Sequence, residues 1–247
     1  MGLAHRIIPT MLCRGRTLVK GQGFDSWRSV GHPTQAARIH QARGVDELVL
    51  LDIAATAEAR GPDLDLVREI SEGCFMPLAV GGGVHSAADV RALLEAGADK
   101  VVVGTAVCYD PTLIAAIATK VGRQALVVSI DVRDNLVHTH CGRQATQYHP
   151  VWWAMRVASR GAGEILLTDM DREGTLAGYN LELIRQVSEA VSIPVIAHGG
   201  AGHPRRMLEA LRAGASAVAA GAMFQFTDET PRGVAQYLAQ EGLEVRL

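Results

Sequence analysis

Residues 43–53 read RGVDELVLLDI, and residues 160–170 read RGAGEILLTDM. Each stretch opens with Arg-Gly, passes through a glutamate into a run of aliphatic residues, and reaches an aspartate; the second begins 117 positions after the first. The same offset places Pro77 on Pro194, Gly82-Gly83 on Gly199-Gly200, Gly97-Ala98 on Gly214-Ala215, and Gly104 on Gly221. Matches this dense at one offset indicate a chain built from two similar halves.

Short aliphatic and β-branched runs recur along the chain, and each precedes a stretch with helical periodicity. The runs are 6–12, 47–53, 77–81, 100–104, 124–131, 164–168, 194–198 and 216–221. Helix starts carry capping residues such as Ser86 and Asn180, and the helix ends carry Gly44, Gly97, Gly161 and Gly214. Eight such units without a Pro/Ser-rich linker predict an α/β fold: a single (βα)8 TIM barrel over 1–247, with half-barrels of about 1–121 and 122–247.

The composition supports this architecture and excludes several classes of function. Apolar residues make up 48% of the 247 residues but aromatic residues only 4%, which suits an aliphatic barrel core. The net charge of -2 provides no basic field for nucleic acid or an anionic membrane, so neither partner is predicted. The segment 1–9 lacks the apolar stretch of a signal peptide, and the longest nearly apolar run, 215–224, is half a membrane span. We therefore predict a cytoplasmic protein.

The cysteines and histidines do not suggest a metal site. Cys13, Cys74, Cys108 and Cys141 are scattered without a CxxC pair, which predicts reduced thiols with a packing role. His138 and His140 could form a pair of metal ligands, but no nearby carboxylate or third ligand completes a site. The sequence therefore predicts neither a bound metal nor a cofactor.

Glycines follow the strands in the same arrangement in both halves. Each half has one strand that ends in Gly-Gly and one that ends in Gly-Thr or Gly-Ala, each before a helix start. Backbone N–H groups at such positions bind anions, whereas the alternative is that the glycines only make tight turns. We predict two phosphate cradles and a substrate with two phosphate-like ends. The first cradle comprises Gly82, Gly83, Gly104 and Thr105, and the second comprises Gly199, Gly200, Gly221 and Ala222.

Several segments together resemble the HisF family, the cyclase subunits of imidazole glycerol phosphate synthase. They are RII at 6–8, LVKG at 18–21, DELVLLDI at 46–53, VGGG at 80–83, GAGEILLT at 161–168 and GGAG at 199–202. The resemblance implies a barrel that works with a HisH-like glutaminase subunit. Such a lyase-type synthase joins ammonia from glutamine to a ribulosyl aminoimidazole carboxamide intermediate and releases imidazole glycerol phosphate and a nucleotide.

The resemblance also assigns roles to individual residues. Family members use two aspartates, at the ends of strands 1 and 5, as general acid and base. Asp131 holds the strand 5 position, but Leu12 stands where the strand 1 aspartate is expected, which implies impaired cyclisation. Lys20 matches a functional lysine in the long loop predicted for 13–32. Gly174 is assigned to phosphate binding and follows Glu173, which stands where cyclases usually have a second aspartate.

Leu12, Pro9 and the run GCFMP at 73–77 resemble the WbuZ branch of HisF-like proteins, which is associated with surface polysaccharides. The first hypothesis is therefore an amidotransferase-type subunit that passes ammonia to a phosphorylated or nucleotide-linked acceptor, with a third protein amidating a sugar. One alternative is the cyclase subunit of histidine biosynthesis. Another is a scaffold without catalytic activity that activates the glutaminase.

Charged residues at strand starts match the ring that gates ammonia in the family. They are Arg6, Glu47, Lys100 and Glu164, and the alternative is a structural salt-bridge cluster. Asp99 matches a residue that faces the glutaminase partner. The role of His198, at the end of strand 7, stays open between a polar contact for the ligand and a tolerated substitution. Arg14, Arg16 and Arg28 in the loop after strand 1 receive no role.

Overall fold

The first strand, β1 (Arg6–Arg14), pairs in parallel with the last strand, β12 (Ala217–Ala220), with Arg6 opposite Ala217. This pairing closes the sheet into a barrel of eight parallel strands with helices between them, as predicted. The computed structural model describes residues 4–247, so the first three residues of the N-terminal segment 1–9 lie outside the described part. No helix within the described part is long and apolar enough to span a membrane.

The eight barrel strands lie within about two residues of the predicted runs. They are β1 (Arg6–Arg14), β4 (Leu48–Asp52), β5 (Leu78–Gly81), β6 (Lys100–Val103), β7 (Leu126–Arg133), β10 (Glu164–Asp169), β11 (Val195–His198) and β12 (Ala217–Ala220). The helices are α1 (Pro33–Ala42), α2 (Leu64–Ser71), α3 (Ala87–Glu95), α4 (Thr105–Tyr109), α5 (Thr112–Val121), α6 (Pro150–Ser159), α7 (Leu181–Ala190), α8 (Pro204–Arg212), α9 (Ala222–Phe226) and α10 (Pro231–Gln240), with a 3₁₀ turn at Arg123–Ala125.

The predicted caps have the expected geometry. The side chain of Ser86 accepts a hydrogen bond from the Asp89 N–H and begins α3, and Asn180 accepts one from Leu183 at the start of α7. Gly97 and Gly214, after α3 and α8, have φ values of 108° and 111°. Because a side chain at either glycine would also meet Ser71 or Ser188, both positions require glycine.

The prediction of a long loop over 13–32 is wrong. Strand β1 runs on to Arg14, and β2 (Thr17–Gln22) and β3 (Asp25–Gly31) form an antiparallel hairpin. The two turn residues, Gly23 and Phe24, both have positive φ, which is the backbone of a tight two-residue hairpin turn. A second extension, β8 (Leu136–Thr139) with β9 (Gln144–Ala145), follows β7 at the corresponding place in the other half.

Side chains inside the barrel form three layers, because alternate residues of a strand face the same side. A central apolar layer comprises Ile8, Val49, Ala79, Val102, Val127, Leu166, Ile196, Ala217 and Ala219. A layer of charged residues lies at the N-terminal face of the barrel, two positions earlier on four of these strands: Arg6, Glu47, Lys100 and Glu164. The third layer lies at the opposite mouth, two or four positions after members of the central layer, and includes Leu12, Asp131, Thr168 and His198.

Candidate active site

A pocket of about 100 Å³ opens at the mouth of the barrel, where the carboxyl ends of the strands meet. Its lining includes Leu12, Asp131, Thr168 and His198 from four different strands. The first predicted cradle, comprising Gly82, Gly83, Gly104 and Thr105, lines the same pocket. The structure therefore brings the predicted strand 5 aspartate and one predicted anion cradle together in the place where barrel enzymes bind substrate.

Asp131 has the properties of a proton-transfer group. Its Oδ1 accepts a hydrogen bond from the Ser129 hydroxyl at 3.0 Å. Burial raises the pKa of the Asp131 carboxyl to about 6, while the hydroxyls of Ser129 and Thr168 lower it and Glu173 adds to the rise. Part of the residue remains open to the pocket. A carboxyl with a pKa near neutrality can both take and return a proton during a reaction.

The strand 1 side of the pocket is apolar. Leu12 is 4% exposed and presents no group that exchanges a proton. Asp52 also lines the pocket, but its Oδ1 accepts the N–H groups of Ala54 and Ala55, and its Oδ2 pairs with Arg60 at 2.7 Å. Because both oxygens of Asp52 hold the loop after β4, it does not supply the carboxyl that the resemblance predicts at the position of Leu12.

The first cradle is held in shape by close backbone contacts. A side chain on Gly82 (φ 107°) would collide with the Asp52 carbonyl, and one on Gly83 would collide with Arg60 and Gly61. The Thr105 hydroxyl accepts a hydrogen bond from the His140 N–H at 2.9 Å, which leaves its own hydrogen free to donate into the pocket. These features fit an anion site, and the phosphate role stays a prediction.

The second cradle differs from the first. Side chains on Gly199 and Gly200 would collide with the carbonyls of Asp169 and Gly178, the positions that correspond to Asp52 and Gly61. Gly221 and Ala222 are buried, as are both of these glycines, and none of the four lines the pocket. Gly174 (φ 74°) packs against Gly21 of β2, also outside the pocket lining. The second set therefore does not open to the pocket as the first does.

Lys20 lies beside the second cradle, and a side chain on Gly221 would collide with its Nζ. The residue is 3% exposed, and its Nζ donates a hydrogen bond to the Thr10 carbonyl at 2.9 Å. Burial lowers the pKa of Lys20 to about 8, although Glu173 raises it. Lys20 therefore places a buried amino group beside the glycines of the second cradle. A catalytic role for Lys20 stays a prediction, since Lys20 does not line the pocket.

The four charged residues of the N-terminal face form a closed ring. Arg6 contacts Glu47 at 2.5 Å and Glu164 at 3.2 Å, and Lys100 contacts each of the two glutamates at 3.0 Å. Burial lowers the pKa of Arg6, but attraction to both glutamates outweighs it, so the net shift is upward. The geometry fits both an ammonia gate and a structural cluster. Asp99 is exposed at the start of β6, where its Oδ2 accepts the Leu78 N–H at 2.8 Å.

The pocket contains groups that sequence reasoning did not find. Trp27 from β3 and Cys141 from the loop between β8 and β9 line it, because both extensions fold over the mouth. Thr168 lies opposite Asp131 in the pairing of β7 with β10. Strand alternation alone identifies Thr168, whereas contacts from the extensions leave no signal of their own in the sequence. Among the described residues, no group of three or more His, Cys, Asp or Glu could hold a metal ion.

Comparison with known proteins yields matches along almost the whole chain. The family model described as "Histidine biosynthesis protein" matches residues 6–230. The chain is 46% identical to imidazole glycerol phosphate synthase subunit HisF of Chlorobium phaeobacteroides (strain BS1), over 99% of this chain and 100% of that protein. It is 48% identical to the protein of the same name from Hyphomonas neptunium (strain ATCC 15444), over 99% of each. These relatives favour the histidine alternative over the first hypothesis of sugar amidation.

Proposed function

The chain belongs to the histidine biosynthesis protein family, among the HisF subunits, and on this premise we propose that it is the cyclase subunit of an imidazole glycerol phosphate synthase. The observation that carries the proposal is the similarity from end to end to two subunits of that name. The conclusion differs from the first hypothesis drawn from Leu12, since it gives greater weight to the whole chain than to one substitution.

The pocket provides what such a subunit needs. Its first cradle offers backbone N–H groups and the Thr105 hydroxyl to a phosphate, and Asp131 stands in the same pocket as a proton-transfer group. Lys20 places a positive charge near the second cradle, which would attract the other phosphate of a bisphosphate substrate. A substrate that spans the mouth would thus lie over Asp131.

Ammonia would enter from the opposite face. A HisH-type glutaminase docked around Asp99 and the ring of Arg6, Glu47, Lys100 and Glu164 would release it at the base of the barrel. Between the ring and Asp131 lies the central apolar layer. Neutral ammonia crosses such a layer more easily than ammonium, because burial of an unpaired charge is costly. The ring would therefore control entry, and the apolar layer would select the neutral molecule.

One observation favours a second candidate. Leu12 removes a carboxyl from the pocket, as expected if ammonia passes through to an acceptor on another protein. The second candidate is therefore a subunit that delivers ammonia for amidation of a sugar, with a phosphorylated or nucleotide-linked acceptor.

A bacterial strain that lacks its HisF cyclase tests the proposal. Wild-type protein, expressed with its cognate glutaminase, should restore growth without histidine, and Asp131→Asn at equal protein level should not. If neither the wild type nor Asp131→Asn restores growth although each forms a complex with the glutaminase, the cyclase function is rejected and the second candidate is favoured. If the wild type fails to restore growth, and Asp131→Asn stimulates the glutaminase as strongly as the wild type does, the result fits the scaffold alternative.

A further inference from the structure

Three polar residues stand in one row across adjacent strands at the mouth. Asp131 of β7 lies opposite Thr168 of β10, and Thr168 lies opposite His198 of β11. All three line the pocket. Each follows a member of the central apolar layer by two or four positions on its strand, so their side chains face the barrel interior. His198 is therefore in the same row of paired residues as the predicted catalytic aspartate.

The imidazole of His198 lies between a hydroxyl and a carboxylate. Its Nδ1 is 3.2 Å from the Thr168 hydroxyl, and its Nε2 is 3.6 Å from the Oε2 of Glu173. The second distance is longer than a hydrogen bond, so the buried Nε2 has no hydrogen-bond partner among the described residues. A buried ring nitrogen without a partner costs free energy, and such costs concentrate where a ligand completes the contact.

We propose that His198 is the second proton-transfer group of this pocket and supplies the function that Leu12 cannot. The proposal rests on the cyclase function proposed above. Unlike leucine, an imidazole can take a proton at one ring nitrogen and give one from the other. Glu173 and Thr168 would act as positioning residues that hold the ring and stabilise it when it carries the extra proton.

The charges around His198 permit this exchange. Burial lowers the pKa of His198, and Lys20 lowers it further, while Glu173 raises it. The resting imidazole is therefore neutral at physiological pH, and the Glu173 carboxylate stabilises it once it is protonated. Asp131, the remaining charged group of the row, is linked to His198 through Thr168. The pocket thus has an imidazole and a carboxyl group instead of two carboxyl groups.

The proton balance of ammonia addition requires two such groups. The nitrogen of ammonia forms a bond to a substrate carbonyl carbon, and the π electron pair of the C=O bond moves to the oxygen. The new nitrogen then gives one proton to neutral His198, the base, and the oxygen takes one proton from the carboxyl form of Asp131, the acid. Loss of that oxygen as water reverses the roles, because protonated His198 gives its proton to the leaving oxygen and the Asp131 carboxylate takes one from the nitrogen. Asp131 and His198 would thus each return to their starting state with no oxidant or reductant consumed.

His198→Asn is the test, because asparagine keeps a hydrogen bond to Thr168 but cannot titrate. With ammonium salt as nitrogen donor, kcat for formation of imidazole glycerol phosphate should fall at least about 100-fold, the low end for a positioned acid or base, while KM changes less than about threefold. One limb of the pH–rate profile should disappear. In a Leu12→Asp background the same substitution should cost less than about tenfold, since a carboxyl is again present.

His40→Asn is the matched control. Burial lowers the pKa of this histidine too, to about 4, but His40 lies on α1 and does not line the pocket. The His40→Asn variant should keep kcat within about twofold of the wild-type value. If His198→Asn keeps wild-type kcat, or loses activity only to the extent that it loses folded protein, the inference is wrong while the cyclase function stands.

Absence of turnover by the wild type would reject the proposed function, and a second measurement then decides the inference. Imidazole resonances of the protein are recorded by NMR with and without imidazole glycerol phosphate. If His198 contacts the ligand, its resonance and its pKa should change on binding, whereas those of His40 should not. Binding without any change at His198, or no binding at all, would overturn the inference.

Discussion

The Nζ of Lys20 occupies the space that a side chain on Gly221 would enter, at the end of the last barrel strand. Gly104, at the corresponding position of the first half, has no such neighbour; a side chain there would approach nothing closer than Ser129 at 3.5 Å. The two predicted cradles thus differ by a buried cation, as well as by Thr105 in one and Ala222 in the other, although their glycines correspond. The half-barrels share a backbone plan but present different charges to a ligand.

Alanine substitution of these two glycines should have unequal effects. Both have negative φ values, -109° for Gly221 and -119° for Gly104, so neither adopts the left-handed backbone that favours glycine. Gly221→Ala would displace Lys20 from Thr10 and should lower the free energy of unfolding by about 1–3 kcal/mol, as for other overpacked sites. Gly104→Ala should change it by less than about 0.5 kcal/mol. Urea unfolding in phosphate-free buffer measures both.

The double variant Lys20→Ala/Gly221→Ala is the control. Removal of the lysine side chain leaves room for the new methyl group, so Gly221→Ala should cost clearly less in the Lys20→Ala background. Equal costs in the two backgrounds would show that Lys20 does not fill this space.

The raised pKa of Asp131 predicts a pH-dependent difference in stability between wild type and Asp131→Asn. The folded protein binds the Asp131 proton more tightly than the unfolded chain, because the pKa is about 6 instead of 3.8. Asp131 therefore contributes a loss of stability to the wild type as pH rises from about 4 through 6, and the variant lacks this contribution. At pH 8 the variant should be more stable by about 1–2 kcal/mol, below the roughly 3 kcal/mol of the full shift, since Asp131 keeps some exposure.

Urea unfolding at pH 4, 6 and 8 tests this prediction. The advantage of Asp131→Asn should shrink toward zero at pH 4. A constant difference between the two proteins at all three values would mean that Asp131 titrates normally in the fold.

Most of the fold could be predicted from the sequence, but only part of the site could. The barrel strands follow from aliphatic runs, and the helix ends from glycines such as Gly97, because each signal lies within a few residues of the element it marks. The hairpin of β2 and β3 has weaker alternation, with five of seven β3 residues exposed, so its sequence reads as a loop. The contact of Lys20 with Thr10 and Gly221 depends on how that hairpin folds back, which no local pattern encodes.

Coupling to the glutaminase should depend on the charged ring. In Glu164→Gln, Arg6 and Lys100 each lose one of two carboxylate partners, so the complex should still hydrolyse glutamine while less ammonia reaches the mouth. We expect at least a threefold rise in glutamine hydrolysed per imidazole glycerol phosphate formed. We also expect a loss of about 1–2 kcal/mol in stability, since partly buried charges are left without a partner.

Glu182→Gln removes an exposed glutamate of α7 that pairs with Arg185 and is not part of the ring. The amount of glutamine hydrolysed per imidazole glycerol phosphate formed should not change in this variant. Exposed ion pairs contribute little to stability, so the fold should not change either. If Glu164→Gln shows the wild-type ratio with reduced stability, the ring is a structural cluster and ammonia enters elsewhere.

Conversion of a ribulosyl aminoimidazole carboxamide substrate with ammonium salt, without any glutaminase, tests the cyclase function most directly. The purified wild type should release imidazole glycerol phosphate, and Asp131→Asn should do so at least about 100-fold more slowly. Product formation by the wild type alone would establish that the pocket cyclises despite Leu12. Absence of product from a folded wild type that binds imidazole glycerol phosphate would contradict the account.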